Sequence, residues 1–367
     1  MKIMFACGGT AGHINPAIAI ADLLKRNNPA HSIVFVGTPE GMENRLVTQA
    51  GYPIRHVPVK GLRRSLSPSN LKAGVALLKS FRVAAKILSE ERPDLVVGTG
   101  GYVCYPLLRA ASSRGIKTVL HESNARAGVA ARLLARHTDL ALIHFPSAAK
   151  DFKRSSRTVV SGNPLRSGFF TLNRDEARRK LGLKKDALYL LVFGGSLGAR
   201  KLNEALEGAI PRLLSAYPSL TVLHATGANQ EDCNTCRASE RYQRKPYIDD
   251  MPLRLTAADA AVCRAGAMTV SEIAAAGVPA VLVPYPAATG DHQTKNAAEL
   301  AKAGAAILLP DRELTSERLT EELSKLLSNG NERERMKANL SRFRVPDTGT
   351  VILREIGRLC PKLVERS

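Results

Sequence analysis

Short runs of apolar residues alternate along the chain with longer stretches in which apolar positions return every three or four residues. The short runs are rich in Val, Ile, Leu and Phe and end in Gly, Pro or Asn, which predicts buried strands bounded by turns. KIMFAC, SIVFVG, IRHVPV, DLVVGTG, KTVLHE and LALIH are the candidates in the first half. LYLLVFGG, TVLHATG, KPYIDD, AAVC, AVLVPY and AAILLP follow in the second. Between them, INPAIAIADLLKR, LKAGVALLKSFRVAAKILSE and LNEALEGAIPRLLSAY carry the period of one-sided helices. The alternation argues for an α/β protein with parallel sheets covered by helices.

At 367 residues the chain is long for one core, and length alone suggests two domains. A partial repeat supports that division. IMFACGGTAG, starting at Ile3, and YLLVFGGSLG, starting at Tyr189, are each a strand, a Gly-Gly-hydroxyl-x-Gly loop and a helix start. A third strand and loop, VVGTGGY, covers 96–102. TVVSGNPLRSGF, punctuated by Gly162, Asn163 and Pro164, predicts the boundary. The expected parts are a first domain over 1–163, a second over 164–340 and a helical tail over 341–367. Ligands of open α/β sheets bind outside the carboxyl ends of the strands, where the glycine loops fall. A cleft between two such sheets is the expected place for chemistry.

Charge adds a partner class. The net charge is +20, and residues 1–163 hold 23 Lys and Arg against 9 Asp and Glu. An excess of this kind points to an anionic partner, either nucleic acid, an acidic membrane surface or a phosphorylated lipid. No zinc finger, helix-turn-helix or RNP-like aromatic pattern accompanies it, which argues against nucleic acid. No apolar run approaches the roughly 20 residues of a membrane span, and no signal peptide precedes the first strand, so a cytoplasmic protein is expected. Six scattered cysteines, including the lone pair Cys233 and Cys236, suit reduced thiols better than a disulfide framework or a zinc site.

The glycine loops are the first candidate chemistry. Without side chains, their N–H groups can approach phosphate oxygens, and a following helix N-terminus favours the anion. Neither GGTAGH nor GGSLGA is the dinucleotide G-x-G-x-x-G or a Walker A loop. Alone, each reads equally well as a tight turn. Residues 259–306 add a strand ending at Cys263, the turn Arg264-Ala265-Gly266-Ala267, and a helix whose first turns carry Thr269, Ser271 and Glu272. A carboxylate there suits two vicinal ribose hydroxyls. A second strand end leads to Asp291-His292-Gln293, polar groups that suit sugar hydroxyls. The plain alternative makes Glu272 and Asp291 helix-terminal charges, worth from about a tenth to about 1 kcal/mol.

GGTAGHINPA, GTGGY, HESN, GNPLR, GGSLGA, YIDDM, CRAGAMTVSE, VPYP and DHQTKNA follow in this order over nearly the whole chain. The series closely resembles the MurG-type peptidoglycan glycosyltransferases of the GT-B superfamily. The resemblance implies two Rossmann-like domains with parallel sheets facing across a cleft, the first for the acceptor and the second for the donor. The C-terminal helix would pack back on the first. The activity implied is inverting transfer of N-acetylglucosamine (GlcNAc) from UDP-GlcNAc to the diphospho-undecaprenol-linked muramoyl-pentapeptide, lipid I, giving lipid II.

By matching motif, Thr10, Ala11 and Gly12 would face the donor sugar and diphosphate, and Asn124 the GlcNAc. Arg166 and Ser196 would meet the diphosphate, and the Ile248 backbone the uracil. The helix start of Ala267, Met268, Thr269, Val270, Ser271 and Glu272 would take phosphate and ribose, and Gln293 the GlcNAc hydroxyls. Gly100, Gly101 and Tyr102 fall on the acceptor side. HESN stands for the commoner HEQN, Ala11 for a frequent Gly, Tyr105 for a small residue and Ala287 for a frequent His.

His13 then has a task. The 4-hydroxyl of the acceptor sugar needs a base, and a neutral imidazole with its ordinary pKa near 6.5 is matched to that at pH 7. The plainer alternative is a helix-terminal His solvating its loop. Asp249-Asp250 sits where the resemblance puts the uracil loop, so no obligatory metal or other cofactor is expected; the helix start at Gly266, with Arg166 and Arg264, would stabilise the leaving diphosphate. Leu71, Lys72, Val75, Leu78, Lys79, Phe81 and Arg82 lie at helical spacing. They read either as a core-facing stripe or as the patch by which such enzymes bind the cytoplasmic face of the anionic inner membrane peripherally. Cell-wall synthesis and division proteins are further implied partners, with no nucleic acid. The rivals are a GT-B transferase with another acceptor, a nicotinamide oxidoreductase and a non-catalytic UDP-sugar-binding scaffold. The missing dinucleotide loop argues against the second and His13 against the third.

Overall fold

Runs that are apolar at nearly every position form strands because both of their faces are covered. In the first half these are β1 (Lys2–Cys7), β2 (Ser32–Gly37), β3 (Ile54–His56), β4 (Leu95–Gly100), β5 (Lys117–Glu122), β6 (Leu140–Ile143) and β7 (Thr158–Val160). They pair in parallel in the order β3-β2-β1-β4-β5-β6-β7. The second half builds β8 (Leu188–Phe193), β9 (Leu220–Ala225), β10 (Tyr242–Lys245), β11 (Ala260–Cys263), β12 (Ala280–Leu282) and β13 (Ile307–Leu308). These are parallel too, in the order β10-β9-β8-β11-β12-β13. The computed structural model describes residues 1–59, 69–195, 198–227 and 238–363.

The strand order fixes where a ligand can sit. In each sheet the order reverses beside the first strand, between β1 and β4 and between β8 and β11. The loops leaving the carboxyl ends of those strands diverge to opposite faces and leave a crevice. They are the glycine loop after Cys7, GTGGY, GGSLGA and CRAG.

Side chains alternate across each strand and so feed two cores. Met4, Val36 and Val96 face one side of the first sheet, packed with Leu107 and Leu108. Ile3, Phe5, Phe35 and Val97 face the other, where they meet Ile14, Ile20 and Leu24 of the helix Ala11–Asn27. Phe5 stacks on Phe35 with ring centroids 5.1 Å apart. The helix Thr348–Leu359 inserts Ile352 and Ile356 into this same core. Its buried Glu355 pairs with Arg157 at 2.8 Å, just before β7. Hence the compact units are 1–164 with 347–367, and 165–346. Residues 341–346 stay with the second unit, and the chain passes to the first at Asp347, which caps the last helix through Thr350 N–H.

Two sequence expectations shift. KPYIDD is not one strand: β10 stops at Lys245 before Pro246, which has no N–H to give the ladder. The chain then turns into the helix Met251–Ala257. Conversely, β7 and the short helix Glu43–Gln49 form from stretches too brief to carry a period.

In the second unit, Leu190, Val192, Val262 and Val281 pack under Leu202, Leu206 and Leu323. One polar node ties this sheet to its helices. Asp259 accepts from Tyr189 N–H at 2.8 Å, from Arg178 at 3.1 Å and from Arg174 at 2.6 Å. Arg178 is buried, so its charge depends on that carboxylate. Replacing Asp259 by Ala is expected to cost about 3 kcal/mol or more, because a buried cation loses its partner. Urea unfolding of the full chain checks this, and an unchanged midpoint would remove the node from the stability argument.

Candidate active site

In the first unit the candidate residues gather where β1 and β4 end side by side. Gly9 has φ +86°, and the helix begins at Ala11. On the neighbouring strand, Gly100 and Gly101 have φ +123° and +92°. A Cβ on Gly101 would lie 2.5 Å from the Gly8 carbonyl oxygen, and one on Gly100 would overlap the His13 ring. The GTGG glycines therefore leave the space that the imidazole fills.

His13 is held by its own loop. Its Nδ1 lies 3.1 Å from Gly8 O and 3.4 Å from Thr10 Oγ1. A carbonyl oxygen can only accept, so Nδ1 carries the proton and Nε2 keeps the lone pair. Burial lowers the pKa of the half-buried ring, and the bond to Gly8 offsets part of that. The ring is thus neutral at pH 7. Thr99 Oγ1 donates to the His13 carbonyl at 2.7 Å, tying the first helical turn to the end of β4. Cys104 Sγ accepts from Gly100 N–H at 3.3 Å and lies 3.0 Å from Gly100 O. Burial raises that thiol to about 12, so it acts as a neutral brace.

Thr10 and Gly12 are exposed and Ala11 is half-buried at a helix start with no side-chain cap and no acid in its first turn. Tyr102 is exposed beside Gly101. At the end of β5, the Asn124 amide donates from Nδ2 to Glu122 Oε1 at 2.9 Å, which fixes its carboxamide plane. Glu122 also accepts from Asn124 N–H at 3.0 Å, yet burial still raises its pKa.

In the second unit the candidate residues gather at the ends of β8 and β11. Gly195 and Gly198 have positive φ, as the tight turn of GGSLGA requires; Ser196 lies outside the described residues. Gly266 opens the helix Ala267–Ala276, which again lacks a side-chain cap and a first-turn acid. Its N–H groups at Ala267, Met268 and Thr269 are suited to an anion. Burial raises Glu272 to about 7, and the Arg166 charge pulls against that rise. Arg166 donates to Asp249 O at 3.0 Å, so the GNPLR, YIDDM and TVSE motifs converge. The Ile248 side chain is buried, leaving its backbone to meet a ligand. Gln293 Oε1 accepts from Ala265 N–H at 3.2 Å and Tyr285 N–H at 2.9 Å, which leaves its amide N–H groups for another acceptor.

Several of the expected contact residues have partners within the protein. Arg264 Nη1 bonds Asp311 at 2.5 Å and the carbonyls of Val283 and Pro284. Val270 is fully buried, and Ser271 Oγ donates to Ala267 O at 2.9 Å. Asp250 is paired with Arg254 at 3.0 Å. Cys233 and Cys236 lie outside the described residues, and among those described no cluster of His, Cys, Asp and Glu is placed to hold a metal.

On the helix Ser69–Glu91, Leu78 is exposed, as are Lys79 and Arg82. Phe81 is half-buried, edge-on to Tyr105 with centroids 5.8 Å apart. The side chains of Leu71, Lys72 and Val75 lie outside the described residues. Among the described residues no helix is long and apolar enough to cross a membrane.

Residues 3–143 match the N-terminal domain of glycosyltransferase family 28, and residues 189–349 match its C-terminal domain. A relative from Carboxydothermus hydrogenoformans is 43% identical over 344 residues, 92% of each chain. Another, from Desulforudis audaxviator, is 41% identical over 328 residues, 87% of this chain and 88% of its own. Both are named UDP-N-acetylglucosamine–N-acetylmuramyl-(pentapeptide) pyrophosphoryl-undecaprenol N-acetylglucosamine transferase. The crystal structure of Acinetobacter baumannii MurG superposes with a TM-score of 0.79 at 31% identity, covering 98% of this chain and 99% of that one. The chain belongs to glycosyltransferase family 28, in its MurG-type branch. The two parallel-sheet, Rossmann-like units are the GT-B architecture of this family.

The residues that sequence reasoning missed in this family 28 chain are the braces: Thr99, Cys104, Glu122, Asp311 and, below the first loop, Glu43. Thr99 lies inside GTGGY and Glu122 inside HESN, and Cys104 follows GTGGY by two residues, whereas Glu43 and Asp311 belong to no recognisable motif. The Arg166 charge acts on Glu272 against the rise from burial, and the sign of that coupling is testable. The Glu272 carboxyl should titrate near neutrality in 13C-glutamate NMR spectra, and Arg166→Ala should move its midpoint upward. A midpoint that does not respond would remove the pair.

Proposed function

We propose that this chain transfers GlcNAc from UDP-GlcNAc to the 4-hydroxyl of the muramoyl sugar in lipid I, with inversion, forming lipid II. The single observation that carries the catalytic reading is the His13 bond to Gly8, which presents Nε2 as the basic nitrogen of a neutral ring. In this reading Nε2 takes the acceptor hydroxyl proton as the oxygen attacks the anomeric carbon. The UDP departs from the opposite face, and its growing charge is met by the amides of the helix start at Ala267 and by Arg166. Glu272 accepts from the ribose hydroxyls, Gln293 donates to the sugar, and Asn124 holds the N-acetyl sugar from the first unit. Charge stabilisation by amides and a guanidinium leaves no step that requires a metal.

The enzyme docks peripherally on the cytoplasmic face of an anionic membrane, where lipid I is held. The basic first unit and the exposed Leu78, Lys79 and Arg82 support this. Cell-wall synthesis and division proteins are natural neighbours of an enzyme acting at that surface.

His13→Ala should lower transfer to a lipid I analogue at least about a hundredfold, while UDP-GlcNAc binding stays intact and wild-type turnover survives EDTA. Near-normal turnover in His13→Ala would remove the base, and loss of turnover in EDTA would remove the metal-free step. For the membrane, each surface Lys or Arg contributes about 1 kcal/mol on anionic lipid, so Lys79→Glu with Arg82→Glu should weaken vesicle binding by thirtyfold or more. Flotation with phosphatidylglycerol-containing vesicles measures it, and unchanged binding would move the docking surface elsewhere.

A further inference from the structure

Glu43 is a fully buried carboxylate at the start of the short helix Glu43–Gln49. Among the described residues it has no ion-pair partner, which for a buried charge demands compensation by hydrogen bonds. It has three: Oε1 accepts from Thr38 N–H and Thr38 Oγ1, both at 2.7 Å, and Oε2 accepts from Gly9 N–H at 3.2 Å. Burial pushes its pKa up, but these donors outweigh that and hold it below the usual carboxylate range. The surroundings are shaped to admit it. A Cβ on Gly8 would lie 2.7 Å from Oε1 and one on Gly37 2.5 Å from Cγ, and one on Gly41 would collide with the carboxyl group.

The Gly9 N–H and the Gly8 carbonyl belong to one amide. We propose that Glu43 is a positioning residue for His13, acting through the Gly8–Gly9 peptide: the carboxylate accepts its N–H, and its carbonyl accepts the His13 Nδ1–H. Hydrogen-bonded amides polarise one another, so a carboxylate on the N–H side makes the carbonyl a better acceptor. A stronger bond at Nδ1 fixes the tautomer and raises the basicity of Nε2, as a carboxylate does when it bonds a histidine directly. Here one peptide stands between the two side chains, at 3.2 Å and 3.1 Å. The other titratable groups packed on this loop are Cys7 and Cys104. Burial raises the pKa of both, so they contribute no charge at pH 7. Among the described residues the fixed charge beneath the loop is therefore Glu43. The catalytic meaning of this link rests on the general-base reading of His13.

The test is Glu43→Gln, a neutral side chain of the same shape, in the full chain, with Asn44→Ala as control. Asn44 Nδ2 braces the same turn through the carbonyls of Thr38, Pro39 and Gly41 without touching Gly9. With 15N-histidine labelling and no substrate present, wild-type His13 should show protonated Nδ1, and Glu43→Gln should lower its titration midpoint and mix the tautomers. Turnover should fall about ten- to hundredfold, the range seen for residues that orient a metal-ligating histidine, with KM for UDP-GlcNAc nearly unchanged. Asn44→Ala should leave the His13 spectrum as in wild type.

An unaltered His13 spectrum in Glu43→Gln, or the same change in Asn44→Ala, would overturn the link. A changed spectrum with normal turnover would uphold the link and overturn the base reading instead. A readout that needs no variant is the wild-type Gly9 amide proton, expected at low field and slow to exchange. A Gly9 amide at an ordinary shift with fast exchange would also overturn the link.

Discussion

The close approach of the loops that leave β1 and β4 is the constraint on which the first unit's candidate residues depend. With any side chain at position 101 the Gly8 carbonyl would have to move, and with one at position 100 the imidazole would. Both residues also hold positive φ, which only glycine adopts at little cost. Once the two loops touch, His13 can lie against one strand end and bond the other. Thr99 and Cys104 then lock the helix start and Gly100 to the same strand. Function here follows from an absence of side chains at a switch point of the sheet. That is why the motif is mostly glycine.

The helix N-termini are closed in different ways. Helices starting at Arg174, Ser316, Gly330 and Thr348 are closed by side-chain caps from Asn173, Thr315, Asn329 and Asp347. The four that follow glycine-bearing strand ends at the switch points, starting at Ala11, Cys104, Arg200 and Ala267, have neither a side-chain cap nor an acid in the first turn. Capping is worth about 1 kcal/mol, so leaving it out has a cost. The uncapped amides are what an anionic ligand can use.

Much of this was legible in the sequence. Strand-loop-helix repeats, glycine loops and the ordered motifs located both sheets and nearly every loop that bears on the site, because each is a contiguous pattern. What stayed hidden were interactions between patterns. Nothing near Arg264 in sequence announces that Asp311, 47 residues later, bonds its guanidinium. The Ser271 hydroxyl turns back on its own helix at Ala267. Phe81 meets the ring of Tyr105, 24 positions away. Glu43 has no signal at all: it sits in a seven-residue helix, 34 positions from the Gly9 it supports. Rotamers and long-range partners decide these cases, and periodicity carries neither.

Three partly or fully buried glutamates show how one side-chain type is set to different tasks. Glu43 gathers three protein donors and stays ionised, so its charge is permanent and belongs to the scaffold. Glu122 spends its acceptors on orienting Asn124 and the turn at Gly128, and burial leaves it easier to protonate. Glu272 has an arginine charge nearby but a pKa of about 7, so its ionised form is left short of donors. A ligand that brings hydroxyl donors would supply what the protein withholds. Binding would then pull the group toward the carboxylate form, and the free energy of that shift would belong to recognition. On this argument the under-donated carboxylate marks the ligand face, and the fully donated one marks the frame behind it.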